Sequence, residues 1–261
     1  MKIAIGLEYS GAAYFGWQTQ PHATSIQSIV ETALSEVADE PVSVICAGRT
    51  DAGVHALQQV IHLESGKQRE AKAWVFGGNV HLPMDISLLW AKPVSDEFHA
   101  RFSATARRYQ YLILNRSTRP GILSKFITWE YRPLDVELMN KAAACLIGEH
   151  DFSSFRDSQC QAKSPVRTVK RLEIRRMSDC IVLDIAANAF LHHMVRNIAG
   201  VLMAIGAGKE PVTWAQQVLE SRDRRLGGVT APPDGLYLKS IEYPEHFGIP
   251  SQDGPDWPVM L

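Results

Sequence analysis

The sequence has no apolar run long enough to cross a bilayer and no CxxC pair. A spanning helix needs about 20 consecutive apolar residues, so no membrane partner is expected. The four cysteines, Cys46, Cys145, Cys160 and Cys180, are widely separated. That spacing supports neither a zinc site nor a disulfide framework and points to a reduced, cytoplasmic setting. The opening stretch Met1 to Tyr9 reads as a strand rather than a signal peptide, because its apolar run is short and broken by Glu8. There is also no surplus of charge: Lys plus Arg number 27 and Asp plus Glu 28, for a net charge of -1. Nucleic-acid binding normally demands a basic surface, so a neutral total argues against it unless the basic residues cluster.

What is present is an ordinary globular balance, 46% hydrophobic and 21% charged over 261 residues, enough for one large domain or two smaller ones. Residues 2–9 alternate as a strand. Ile26, Ile29, Val30, Ala33, Leu34 and Val37 recur at helical spacing behind Ser25. Strands at 42–47 and 59–64, a helix at 70–80 and a strand at 86–92 complete the order βαββαβ. The same order returns with a strand at 107–114, a helix from the Asp135 cap to about 147, and strands at 168–176 and 180–187. A helix at 190–205, another at 212–221 and a strand at 235–241 finish it. No residue-level repeat accompanies this, but two such units with antiparallel sheets make a pair of ferredoxin-like halves with a cleft between them. The chain is therefore α+β, with an N-terminal half at 1–105, a C-terminal half at 106–243 and an irregular tail at 244–261.

Chemistry gathers in three places. After the 42–47 strand comes Cys46-Ala-Gly-Arg-Thr-Asp-Ala-Gly-Val-His55, where Gly48 and Gly53 bracket Arg49 and Asp51. Such a loop either aims charged groups from a rigid strand end or is a plain surface turn. Around the junction, Arg101, Arg107 and Arg108 lie close to Tyr109 and Tyr111, and Arg116, Arg119 and Lys125 follow. A second basic group, Lys163, Arg167, Lys170, Arg171, Arg175 and Arg176, falls on the 168–187 hairpin. Basic chains can follow a phosphate backbone while rings stack on bases; equally, two tyrosines two apart on a strand can share a core face. In Asn188-Ala-Phe-Leu-His-His-Met-Val-Arg-Asn197, Arg196 sits within an apolar run. A buried guanidinium needs a carboxylate, and Asp51 is the candidate. His192 and His193 raise the thought of a metal, but neighbours on a helix point about 100° apart and no acidic cluster is visible, so no metal is expected.

With Arg49-Thr-Asp-Ala-Gly-Val-His55, the Arg108-Tyr-Gln-Tyr111 strand and the 188–200 stretch quoted together, the chain resembles the TruA family of tRNA pseudouridine synthases. The likeness extends through Asp151-Phe-Ser-Ser-Phe-Arg156 and Gly235-Leu-Tyr-Leu238 and fades only in the last dozen residues. It implies the pseudouridine synthase fold and isomerisation of uridine to pseudouridine at positions 38, 39 and 40 of the tRNA anticodon stem-loop. It further implies a homodimer and no cofactor or metal. Asp51 is then the catalytic aspartate and Arg196 its salt-bridge partner. Tyr109 stacks on the target uracil and helps remove the C5 proton, and Arg49 takes the place of the extruded base. Leu236 and the helix from Phe190 would wall a dry pocket that keeps the detached uracil from escaping. Two other classes stay open from the residues alone. A non-catalytic RNA-binding protein would not need a buried acid, and it lacks RNP-type strings here. A nucleoside hydrolase generally uses two opposed carboxylates, whereas one acid stands in a specific motif.

Overall fold

The computed structural model describes residues 1–250. Among these described residues, ten strands form one sheet, and the helices pack against it. The first four strands are β1 (Lys2–Tyr9), β2 (Ile45–Cys46), β3 (His55–Glu64) and β4 (Ile86–Pro93). Helix α1 (Ile26–Ala38) joins β1 to β2, and α2 (Gly78–His81) precedes β4. Then come β5 (Ala106–Asn115), β6 (Thr128–Glu130), α3 (Val136–Ala143), β7 (Gly148–Asp151), β8 (Val166–Met177) and β9 (Cys180–Ala187). Helices α4 (Met194–Gly206) and α5 (Trp214–Ser221) and strand β10 (Leu236–Glu242) close the order.

The sheet runs β4-β1-β3-β10-β5-β9-β8-β7, with β2 also on β3 and β6 also on β5. Among β1 to β4 the order is fourth, first, third, second; β10, β5, β9 and β8 repeat it. This is the antiparallel split-βαβ arrangement read from the sequence. The two sets join edge to edge through a parallel pairing of β3 with β10, Tyr237 to His55 and Leu238 to Ala56. The seam matters for function because the Asp51 loop enters β3 there and β10 begins there.

Local chemistry accounts for the elements. Ser25 caps α1, its Oγ accepting from Ser28 N at 3.2 Å, and Ile26, Val30, Ala33, Leu34 and Ala38 are buried on the sheet-facing side. Asp135 caps α3 by accepting from Glu137 N and Leu138 N at 2.9 and 3.0 Å, and a 3-10 turn carries it on to Leu146. Alternation along β5 sends Tyr109, Tyr111 and Ile113 into the main core. Leu112 goes to a small cluster with Ile127, Cys180, Val182 and Tyr237 on the opposite face.

Several expected boundaries shift. The strand expected at 42–47 is only Ile45–Cys46, because Val44 N donates to the Glu31 side chain at 2.9 Å instead of to a ladder. The expected 70–80 helix divides into a π-turn at Ala73–Gly77 and α2. The expected helix from Phe190 starts at Met194, since His193 has a left-handed backbone (φ 61). Strands β6 and β7 were not expected. Of the tail, Glu245–Phe247 forms a 3-10 turn, and 251–261 lie outside the described residues.

A buried ion pair ties β5 to β9. Asp184, 1% exposed, receives Arg108 Nε and Nη2 at 2.8 and 2.6 Å and Gln110 Nε2 at 3.0 Å. Burial alone would raise its pKa; the bonds from Arg108 and Gln110 and the charges of Arg108 and Arg171 hold it below the usual carboxylate value. Its stabilisation is therefore present above the ordinary carboxylate range and is lost as pH falls through the lowered folded-state value. Asp184→Ala should cost about 3 kcal/mol at pH 7, read as a lower urea midpoint, and the difference from wild type should shrink on acidification.

Candidate active site

The 47–53 loop is held from every side. Gln59, fully buried on β3, donates from Nε2 to Gly48 O at 2.6 Å and accepts from Gly48 N at 3.3 Å. Arg107 Nη2 donates to Ala47 O at 3.0 Å. Thr50 Oγ1 lies 2.8 Å from the Tyr9 hydroxyl, and Trp17 N donates to Thr50 O at 3.0 Å. Gly53 is the loop position that needs glycine, at φ +80. Gly48 does not: a Cβ there would meet only the Tyr109 hydroxyl, at 3.7 Å.

The loop lines a cleft of about 1060 Å³ together with Arg101, Tyr109, Arg167, Leu236 and the stretch before and into α4. Asp51 sits in its wall, its side chain 21% exposed. Arg196, from the first turn of α4, donates from Nη1 to Asp51 Oδ2 at 3.2 Å and from Nε to Ala231 O at 2.8 Å. The structure thus joins two residues 145 positions apart in the chain. His192 Nε2 faces Asp51 Oδ1 at 3.2 Å, and His193 Nε2 faces Oδ2 at 3.3 Å. On their far sides the same rings meet Asp157, through His192 Nδ1 to Oδ1 at 3.5 Å and His193 Nδ1 to Oδ2 at 2.9 Å. Burial would raise the Asp51 pKa, but the His192 hydrogen bond and the charges of both histidines and Arg196 bring it below the usual value. Asp51 is a carboxylate at neutral pH.

The histidines correct an expectation. They do not diverge along a helix, because both precede α4, and an acidic pair does surround them. Their ring centroids are 4.0 Å apart, and one ligand atom each from Asp51, His192 and His193 lie within 4.8 Å of one another. That spacing could admit a metal ion. The guanidinium of Arg196 on the same carboxylate opposes a dication, and each imidazole nitrogen already faces an acid oxygen.

Tyr109 is 8% exposed, its ring edge-on to Phe190 with centroids 5.0 Å apart. Burial and then the charge of Asp51 push its phenol well above the usual pKa, so it enters any reaction protonated. Among the described residues its hydroxyl has no hydrogen-bond partner. Leu236 is buried and lines the cleft. Arg49 is exposed on the cleft and makes no ion pair among the described residues.

Of the other basic and aromatic candidates, Arg107, Arg108 and Tyr111 turn inward, while Lys170 and Arg171 stay exposed. Arg107 is a buried clamp whose guanidinium donates to Ala47, Arg101, Ala104 and Asn188 carbonyls. Arg108 serves Asp184, and Tyr111 is fully buried against Thr128 and Pro232 O. On the hairpin, Arg171 pairs with Glu173 and Lys170 with Glu242. Arg101 remains exposed at the cleft, 5.5 Å above the Phe102 ring. Sequence reasoning missed Gln59 and Asp157. Gln59 carried no sequence signal, while Asp157 stands next to the quoted Asp151–Arg156 string.

An ion-paired carboxylate beside a buried tyrosine in an open cleft defines an enzyme site rather than a passive binding face. A family model described as "tRNA pseudouridine synthase" matches residues 6–103 and 142–244. The chain is 58% identical to tRNA pseudouridine synthase A of Nitrosococcus oceani over 255 residues, covering 98% of each. It is 54% identical to that of Alcanivorax borkumensis (98% of this chain, 97% of the other). For Pseudomonas aeruginosa the identity is 57%, covering 96% and 88%. A solved chain from a Cbf5-Nop10-Gar1 complex aligns with a TM-score of 0.35 at 10% identity, covering 77% of this chain and 45% of that one. The chain belongs to the tRNA pseudouridine synthase family and has the pseudouridine synthase fold.

Removing the guanidinium should unbalance Asp51. In Arg196→Met the carboxyl should titrate about one pH unit higher than in wild type, followed by carbon-13 NMR of the labelled side chain. An unchanged titration would show that the histidines alone set its charge.

Proposed function

We propose that this chain isomerises uridines 38, 39 and 40 of the tRNA anticodon stem-loop, with Asp51 as the catalytic carboxylate. As a member of its family it is an isomerase that converts uridine in tRNA to pseudouridine; the positions, the residue roles, a homodimeric state and a cytoplasmic location are our reading. So is the division of the chain into halves at 1–105 and 106–243. The observation that carries the assignment is the Asp51–Arg196 pair at the sheet seam, beside Tyr109.

The reaction breaks the C1′–N1 bond, turns the uracil and rejoins it through C5, while a proton leaves C5 and one is gained at N1. The target must first leave its stack, at a cost of a few kcal/mol. Stacking on Tyr109 returns about 1–3 kcal/mol of that, and the planar guanidinium of Arg49 fills the gap left in the RNA, which a lysine would do poorly. Asp51, charged and oriented by Arg196, then acts on the sugar or the ring. Tyr109 starts as a neutral phenol, so it takes the C5 proton only as its own hydroxyl proton passes to another base. Leu236 and Phe190 supply apolar walls around the detached base. A cleft with one ion-paired catalytic carboxylate favours this reading over a hydrolase.

Asp51→Asn should abolish release of label from C5-tritiated uridine in tRNA and leave tRNA affinity within about twofold of wild type. Full activity in that variant would refute the assignment, and free uracil among the products would favour hydrolysis. Pseudouridine mapping in cells lacking the protein should show losses at 38, 39 and 40 that wild type restores and Asp51→Asn does not.

A further inference from the structure

The roles given to Asp51, Tyr109, Arg49 and Arg196 leave His192, His193 and Asp157 unused. Yet these three form a closed stack with Asp51: carboxylate, two imidazoles, carboxylate, with all four ring nitrogens 2.9–3.5 Å from an acid oxygen. Asp157 is fixed independently, its Oδ1 accepting from Gln159 N at 2.8 Å and its own N–H donating to His192 O at 3.0 Å. His192 N in turn donates to Cys160 Sγ at 3.4 Å.

A neutral imidazole has one N–H and one lone pair. A ring facing carboxylates on both sides is satisfied on both only when it carries an extra proton. Two imidazolium rings 4.0 Å apart would repel, so one added proton is what the stack holds best. Counting Asp51 and Asp157 against Arg196, a single imidazolium also brings the cluster to neutrality.

The contacts say which ring takes it. His193 makes the short contact to Asp157 at 2.9 Å, which a neutral Nδ1–H satisfies. Its Nε2 lies near an Asp51 oxygen already served by Arg196. His192 Nε2 faces the other oxygen, Oδ1, to which no other group donates among the described residues. Resting on the isomerase reading above, we propose that His192, as an imidazolium oriented by His193 and Asp157, is a positioning residue that holds Asp51 ionised and aimed into the cleft. In agreement, the Asp51 hydrogen bond and the charges of Asp51, Asp157 and Cys160 raise the proton affinity of His192 against its burial. Burial, helped by the charges of His192 and Arg196, lowers that of His193 against the pull of Asp51 and Asp157.

Activity should therefore fall on the alkaline side as His192 loses its proton, above the ordinary histidine range. The test is the pH profile of single-turnover pseudouridine formation by wild type, Asp157→Asn and His192→Gln. Ionisation of the uracil N3 is common to all three, so only displacement between them counts. Asp157→Asn should move the alkaline limb down by about one pH unit. His192→Gln, which still offers a donor but does not titrate, should lose the displaced limb and about tenfold in kcat with KM little changed. Superimposable profiles in the three proteins, or wild-type kcat in His192→Gln, would overturn the proposal. Nitrogen-15 NMR of the free wild-type protein bypasses any folding defect. Two protonated ring nitrogens on His192 near neutral pH are expected, and a singly protonated His192 would refute the idea. Were wild type itself inactive on tRNA, the isomerase reading would fall first and this proposal with it.

Discussion

One contact organises this molecule: the carboxylate of Asp51 against the guanidinium of Arg196. A partly buried acid would ordinarily hold its proton, and a guanidinium in an apolar helix would be costly alone. Each offsets part of the other's penalty, beside the His192 hydrogen bond to Asp51, and the pair fixes the direction of both. Arg196 is tied further to the irregular segment at Ala231 by its Nε and by its own carbonyl. The seam between the two sets of strands is therefore bridged by the same charges that would do the chemistry.

The fold makes that contact possible by bringing β3 and β10 together as parallel neighbours. The loop entering β3, the start of β10 and the Tyr109 position on β5 then converge on one cleft. Rigidity comes from buried groups, chiefly Gln59 on Gly48 and Arg107 on Ala47. A loop bonded in this way keeps its geometry without substrate, so binding energy can go to extruding a base.

Much of this was legible in the residues. Alternation and helical spacing located the main strands and helices, since each buries one face. The Asp51–Arg196 pairing followed from one rule, that an arginine within an apolar run must find an acid. The direction of side chains was not legible. Arg107, Arg108 and Tyr111 cluster with Arg101 and Tyr109 in sequence, but successive residues on a strand point to opposite faces, and pairing with Asp184 or backbone carbonyls drew them inward. The histidine pair misleads because the helix expected from Phe190 begins four residues later, after the left-handed backbone at His193. Asp157 could not be placed at all, since its role depends on a loop meeting α4 from across the site.

The central claim is that Asp51 reaches a nucleotide drawn out of its helix. The most direct measurement is a crystal structure of the Asp51→Asn protein bound to an anticodon stem-loop RNA. One uridine should be extruded, its ring against Tyr109, its ribose beside residue 51, and Arg49 in the vacated stack. RNA bound with every stem base still stacked, or an extruded base seated away from residue 51, would contradict it.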